Sequence, residues 1–251
     1  MVAFPEDEDF SRFSVPEGCR VYAFGDIHGR FDLLGELHQA MEADLQARPV
    51  DECVEVFVGD YVDRGPDSEK VLRFLADSSS VCGRRVCLKG NHEDILIRAL
   101  REPELLTYWL GQGGAATMLS FGVEPPRNAR PATLENCRDA LAMALGPDLS
   151  AFLGGLDTME RIGDYLFVHA GINPGRPLEE QEEQDLVWIR EPFLSSQKDF
   201  GFCVVHGHTP RERQRVHANR INLDTGAFST GILTCVALER SSRRFLATKR
   251  G

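Results

Sequence analysis

Short apolar runs and helix-period segments take turns along the first hundred residues of this chain. Arg20–Gly25 (RVYAFG) reads as a strand. Phe31–Ala47 then places Leu33, Leu34, Leu37, Met41 and Leu45 at helical spacing. Glu52–Val58 predicts a second strand, and Pro66-Asp67-Ser68 opens a helix that turns Val71, Leu72, Phe74 and Leu75 inward. Arg85–Lys89 predicts a third strand and His92–Leu100 a third helix. This order implies a mostly parallel sheet with helices packed on it. Residues 102–155 read as mainly helical, with a loop at Val123–Pro131. Short strands dominate the rest: Leu156–Ile162, Asp164–His169, Gly201–Val205, Arg220–Leu223, Gly231–Leu238 and Arg244–Thr248. The predicted class is α/β of mixed α+β character. A single domain is expected at 20–251, with a helical insertion at about 102–155, after an acidic N-terminal extension at 1–19.

Charge narrows the range of partners. The 251 residues hold 28 Lys+Arg against 39 Asp+Glu, a formal net charge of −11, which argues against binding a nucleic-acid backbone. It still permits phosphate substrates if metal ions supply positive charge. No apolar run approaches the ~18 residues of a membrane span. Acidic residues Glu6–Asp9 stand where a secretory signal would be basic and then apolar, so a cytoplasmic location is expected. The seven cysteines (19, 53, 82, 87, 137, 203 and 235) are scattered without a C-x-x-C, which predicts free thiols rather than a disulfide framework or a thiolate zinc site.

The chemistry lies in polar clusters that end the apolar strands. They are Gly25-Asp26-Ile27-His28-Gly29, Gly59-Asp60-Tyr61-Val62-Asp63-Arg64-Gly65, Gly90-Asn91-His92-Glu93, Val168-His169-Ala170-Gly171 and His206-Gly207-His208-Thr209, and they hold five of the seven histidines. In open α/β sheets such strand ends are where ligands bind. Asp26 and His28, two apart where a strand runs out, form a chelating pair for a divalent ion. Taken alone they read more simply as a helix cap and a structural histidine. Asp60 ends its strand in the same way, and its carboxylate can bridge two ions. Asn91 adds a carbonyl oxygen, and two later strands end in histidine. A binuclear metal site accounts for all five clusters together.

Jointly these motifs resemble the phosphoprotein phosphatase branch of the calcineurin-like metallophosphoesterases, in the form of the bacterial and phage serine/threonine protein phosphatases. The resemblance spans about Arg20 to Ala227, and the intervals of 34, 31 and 39 residues between Asp26 and Asp60, Asp60 and Asn91, and His169 and His208 are similar to that family's. It implies a two-sheet β-sandwich flanked by helices, with the metals at strand carboxyl ends. It implies that Asp26, His28 and Asp60 hold one ion, and Asp60, Asn91, His169 and His208 the other, with a bridging hydroxide attacking phosphorus in line. His92 would protonate the leaving group with Asp63 behind it, while Arg64 and Arg190 grip phosphoryl oxygens. Manganese is the expected ion, with iron or zinc as alternatives. Spacing alone does not choose between His206 and His208. The Gly207-His208 pair matches the family's ligand, which leaves His206 to support the ligands, to face phosphate, or to serve as a structural histidine.

Several residues near these motifs have plainer readings. Arg190 stands beside Glu191 and could simply pair with it. Glu93 suits the dipole at a helix start. His38 reads as a surface or boundary residue, His217 as a strand residue, Asp224 as a turn or supporting residue, and Glu179–Glu183 as a solvated face. Trp109 and Trp188 read as packing anchors or groove walls. The expected partner is a phosphoprotein, hydrolysed at phosphoserine or phosphothreonine with phosphotyrosine as a further alternative, and small phosphate esters serve as surrogate substrates. The alternatives are a dinucleoside tetraphosphate hydrolase or related nucleotide phosphatase, and a non-catalytic, metal-stabilised binding module. The Asp63-Arg64 pair resembles the protein-phosphatase form of this motif and in part discriminates between these readings.

Overall fold

The computed structural model describes residues 12–77 and 79–249. Two five-stranded sheets carry the fold. In the first, β1 (Cys19–Phe24), β2 (Glu52–Phe57) and β3 (Gly83–Cys87) run parallel, as their intervening helices α1 (Phe31–Ala47) and α2 (Ser68–Ala76) require. Two C-terminal strands, Thr234–Glu239 and Ser242–Ala247, extend it antiparallel on the far side of β1. In the second sheet Tyr165–Val168, Cys203–His206 and Arg220–Asn222 run parallel, flanked by Met159–Ile162 and by Arg215–His217, which contains His217.

Alternation along the strands sorts side chains between layers. In β1, Cys19, Val21 and Ala23 face the second sheet, where they meet Tyr165, Phe167, Cys203 and Val205. Tyr22 and Phe24 face the helices, packing with Leu34, Leu37 and Met41. Leu166, Val168 and Val204 point outward, onto a layer that includes Leu186, Val187 and Phe193. Phe13 and Val15 are buried between the sheets. Residues 1–11, the acidic part of the expected extension, lie outside the described residues.

The middle of the chain is helical as expected. α3 (Asn91–Arg101) is followed by a 3-10 turn, α4 (Leu106–Trp109), a π-turn at Leu110–Gly114, α5 (Ala115–Ser120) and α6 (Pro131–Gly154), which kinks at Gly146-Pro147. Leu106, Trp109, Met118, Leu134, Leu141 and Leu145 join the core on the helical side of the first sheet. A short helix, α7 (Glu183–Trp188), begins in the expected acidic stretch and leads to Arg190.

Two expectations change. Cys53 and Cys82 form a disulfide across a 4.5 Å Cα–Cα distance, while the other five cysteines are free. The β2–β3 register sets Cys53 opposite Gly83, which brings Cys82 beside it. That proximity is a property of sheet pairing, not of local spacing. His38 is buried rather than at the surface: its Nε2 lies 3.0 Å from Glu55 Oε1, and Arg85 donates to the other oxygen of that carboxylate at 2.7 Å. Among the described residues no helix is long and apolar enough to cross a membrane.

Candidate active site

Each motif lies at or just past the carboxyl end of a strand, and backbone bonds lock these ends together. Ile27 and His28 both donate their N–H to the Asp60 carbonyl, and Gly207 donates to that of His169. Among the described residues six non-glycine residues have positive φ, and five of them are His28 (47°), Asp60 (54°), Asp63 (74°), Arg64 (68°) and His208 (65°). L-residues rarely adopt this region, and such strain gathers where a site dictates the backbone. Gly207 allows the closest approach: a Cβ there would lie 1.9 Å from Asp26 Oδ1.

The buried side chains form two groups able to hold a metal ion: His28, Asp60 and His92, and Asp60, His169 and His208. Asp60 belongs to both. Its Oδ2 lies 3.5 Å from His28 Nε2 and its Oδ1 lies 3.3 Å from His169 Nε2. Asn91 Oδ1 is 3.0 Å from His169 Nε2 and 2.8 Å from His208 Nδ1. Asp26 is buried nearby, with Oδ2 accepting the His208 N–H at 3.0 Å and Oδ1 lacking any hydrogen-bond partner.

The donor pattern fits cations. His28 and His169 each present Nδ1 to a backbone carbonyl, of Val62 at 2.8 Å and Val58 at 2.9 Å. A carbonyl only accepts, so Nδ1 carries the hydrogen and Nε2 a lone pair in the neutral ring. His169 therefore aims a lone pair at the oxygens of Asn91 and Asp60. Such an array is repulsive unless a positive ion lies among the atoms. Burial pushes His28 and His208 down to about 3 and lowers His169 too, which keeps the imidazoles neutral as metal ligation requires. Burial opposes charge on Asp60, but His169, His92, His28 and His208 outweigh it and hold that carboxyl well below its usual range. Burial, with Asp224 and Asp60, raises Asp26. Asp224 is a buried turn residue whose Oδ1 accepts the Gly226 N–H at 2.9 Å.

His92 stands apart in one respect: its Nδ1 lies 2.6 Å from the carboxylate oxygen Oδ2 of Asp63. Burial disfavours its charge, but Asp60 and Asp63 outweigh that and raise its pKa. Arg64 spans the mouth of the site, donating to His28 Nε2 at 2.9 Å and His92 Nε2 at 3.0 Å, with its guanidinium 4.7 Å from the Phe228 ring centroid. Arg190 is exposed, and its charge is felt by both His169 and His208. Glu191 does not take it as a partner; that carboxylate accepts from the Ser195 N–H and hydroxyl instead. His206 is buried against Phe193, with Nδ1 donating to the Gly207 carbonyl at 3.0 Å.

Three residues that serve the site were not recognised as such from the sequence. Glu93 does more than favour a helix dipole: its carboxylate accepts the N–H groups of Asp60, Tyr61, Val62 and Gly90. Trp109 and Thr117 both donate to the Asp63 carboxylate. The G-N-H-E string held the signal for Glu93, since a carboxylate in the first turn of a helix can reach back to N–H groups there. Nothing local marks the other two.

Comparisons agree with this geometry. The calcineurin-like phosphoesterase family matches residues 19–227. The chain is 29% identical over 239 residues to serine/threonine-protein phosphatase 1 of Salmonella typhimurium, covering 93% of this chain and 98% of that protein. It is 27% identical over 232 residues to an asymmetrical bis(5'-nucleosyl)-tetraphosphatase of Bacillus velezensis, covering 83% and 85%. The fold is similar to that of a cold-active protein-tyrosine phosphatase of a psychrophilic Shewanella species, with a TM-score of 0.55, 18% identity, and 97% and 86% of the chains covered. A buried oxygen and imidazole array at the strand ends of a two-sheet fold, and a family match over most of its length, make this chain a member of the calcineurin-like phosphoesterase family and a metal-dependent phosphatase.

Proposed function

We propose that this phosphatase is a phosphomonoesterase acting on phosphoserine and phosphothreonine in proteins. The observation that carries the reading is the 2.6 Å bond between His92 and Asp63 beside Arg64. That trio suits an ester with a poor alkoxide leaving group, because such a group must be protonated as it departs. The near full-length likeness to a serine/threonine-protein phosphatase supports it.

In this reading Asp26, His28 and Asp60 hold one divalent ion, and Asp60, Asn91, His169 and His208 hold the other. When bound, two such ions neutralise phosphoryl charge and lower the pKa of water, and manganese suits this set of oxygen and imidazole ligands. Arg64 and Arg190 orient the phosphoryl oxygens through their forked donors. His92 delivers a proton from Nε2 to the departing oxygen, while Asp63 fixes the opposite nitrogen and stabilises the imidazolium. His206 shapes the turn that aims His208.

The likeness to a tetraphosphatase keeps a second reading open, in which the leaving group is a nucleotide. Steady-state turnover of a phosphoserine peptide and of diadenosine tetraphosphate by manganese-loaded protein separates the two. The proposal expects the peptide to have the higher kcat/KM, and preference for the dinucleotide overturns it.

A further inference from the structure

We propose that Trp109 and Thr117 are positioning residues for the departing proton, acting on His92 through the Asp63 carboxylate. This inference rests on His92 being the acid, as assigned above. Asp63 is fully buried, and its side chain meets three donors. His92 Nδ1 lies 2.6 Å from Oδ2, Trp109 Nε1 lies 2.9 Å from Oδ2 and 3.1 Å from Oδ1, and Thr117 Oγ1 lies 2.6 Å from Oδ1.

Thr117 binds the same residue twice. A hydroxyl has one hydrogen and two lone pairs. Its hydrogen goes to the Asp63 carboxylate, and the oxygen accepts the Asp63 backbone N–H at 2.8 Å. One side chain thus fixes both ends of a residue held at φ 74°. Ser68 Oγ also accepts that N–H, at 3.1 Å. A carboxylate bonded only to His92 could rotate about its Cβ–Cγ bond and carry the ring with it. The indole N–H and the hydroxyl remove that freedom.

The chain between the two residues is shaped for this contact. The π-turn Leu110–Gly114 separates Trp109 from α5, and such single turns gather at functional sites. At Gly114 a Cβ would lie 2.4 Å from two atoms of the Trp109 ring, so only glycine lets the ring close onto Asp63. The Gly113 carbonyl accepts the Arg64 N–H at 3.2 Å. The segment 109–117 therefore fixes both members of the Asp63-Arg64 pair.

The inference is specific because an acid matters in proportion to the leaving group. Loosening His92 slows an alkyl ester and spares an ester whose leaving group departs unprotonated. The experiment measures kcat and KM of manganese-loaded protein on a phosphoserine peptide and on p-nitrophenyl phosphate. The variants are Thr117→Val, Thr117→Ser and Trp109→Phe, with His92→Asn as the reference. Thr117→Val is expected to lower kcat on the peptide about tenfold, within the range general acid catalysis contributes. KM should be unchanged, and the loss on the aryl ester should be under about twofold. Thr117→Ser keeps the hydroxyl and should restore the peptide rate to within about twofold. Trp109→Phe should repeat the selective loss, which covers the case of a Thr117 variant that fails to fold. If His92→Asn is selective but Thr117→Val and Trp109→Phe slow both substrates equally, or neither, the positioning role is wrong. If His92→Asn itself shows no selectivity, the acid assignment has failed instead.

Discussion

The Glu93 carboxylate accepts the backbone N–H of Asp60 at 2.8 Å, so a buried acid on one motif sets the backbone of the residue that both candidate metal groups share. It also takes the N–H groups of Tyr61 and Gly90, at 2.8 and 2.9 Å, and of Val62 at 3.3 Å. The chain turns left-handed at Asp60, and these bonds replace the ladder partners that β2 has just left behind. Burial and the Asp60 charge push Glu93 up to about 7, so the bonds hold the carboxylate against an adverse field. Glu93→Gln keeps the volume but turns an N–H donor toward N–H donors. It should cost about 2 kcal/mol, as expected for leaving buried N–H donors without an acceptor, and lower metal content. Urea unfolding and elemental analysis of the purified variant provide the check. Stability within about 1 kcal/mol of the parent, with metal content unchanged, would contradict the role.

The motifs were legible because each polar cluster directly follows an apolar strand, and the strand fixes its direction. Asp26, His28, Asp60, Asn91, His169 and His208 converge for that reason. What stayed hidden depends on distant pairing. The Cys53–Cys82 bond follows from β2–β3 register. Thr117 meets Asp63 across 54 residues of sequence, and Trp109 does so across 46. His38 shares an amphipathic helix with core residues, and only the fold shows that Glu55 waits beneath it. The antiparallel flank of the first sheet was likewise invisible, since its strands carry no signal of which edge they join.

Asp60 turns one oxygen toward each candidate metal group. Chelation should therefore abolish activity and lower the melting temperature, and added manganese should restore both. Each ion, present at about 100 times its Kd, would contribute about 2.7 kcal/mol. Asp60→Asn should lose both ions, whereas His28→Ala should lose one. Metal per chain after desalting is the measurement. Two retained ions in Asp60→Asn, or full activity after exhaustive chelation, would refute the arrangement.

Glu55, on β2 five residues before Asp60, lies beneath α1 and accepts from His38 and Arg85. Burial alone would raise its pKa, but His38 and Arg85 outweigh burial and lower it. A carboxyl with a depressed folded pKa adds stability that is fully present above its unfolded value of about 4.3. That contribution is lost as pH falls through the folded value. Glu55→Gln should thus destabilise the protein by about 3 kcal/mol at pH 7, and the gap to the parent should narrow below about pH 4. Denaturant midpoints of both proteins across that range test this, and a gap that widens on acidification would reverse the sign.

His206 and His208 stand two residues apart and face different neighbours. His208 presents Nδ1 to Asn91 Oδ1 at 2.8 Å and belongs to the group with Asp60 and His169. His206 turns Nδ1 back to the Gly207 carbonyl, and its ring meets Phe193 edge-on at 5.1 Å. Burial pushes both rings down to about 3, so protonation state does not separate them. Position does, because the left-handed residue His208 departs from the strand direction that still governs His206. His208→Ala should lose an ion and nearly all turnover while the fold persists. His206→Ala removes packing in a filled layer, so it should cost about 2 kcal/mol yet keep both ions and lose less activity. Elemental analysis paired with thermal melts distinguishes the two outcomes. An ion lost from His206→Ala but retained in His208→Ala would exchange their roles.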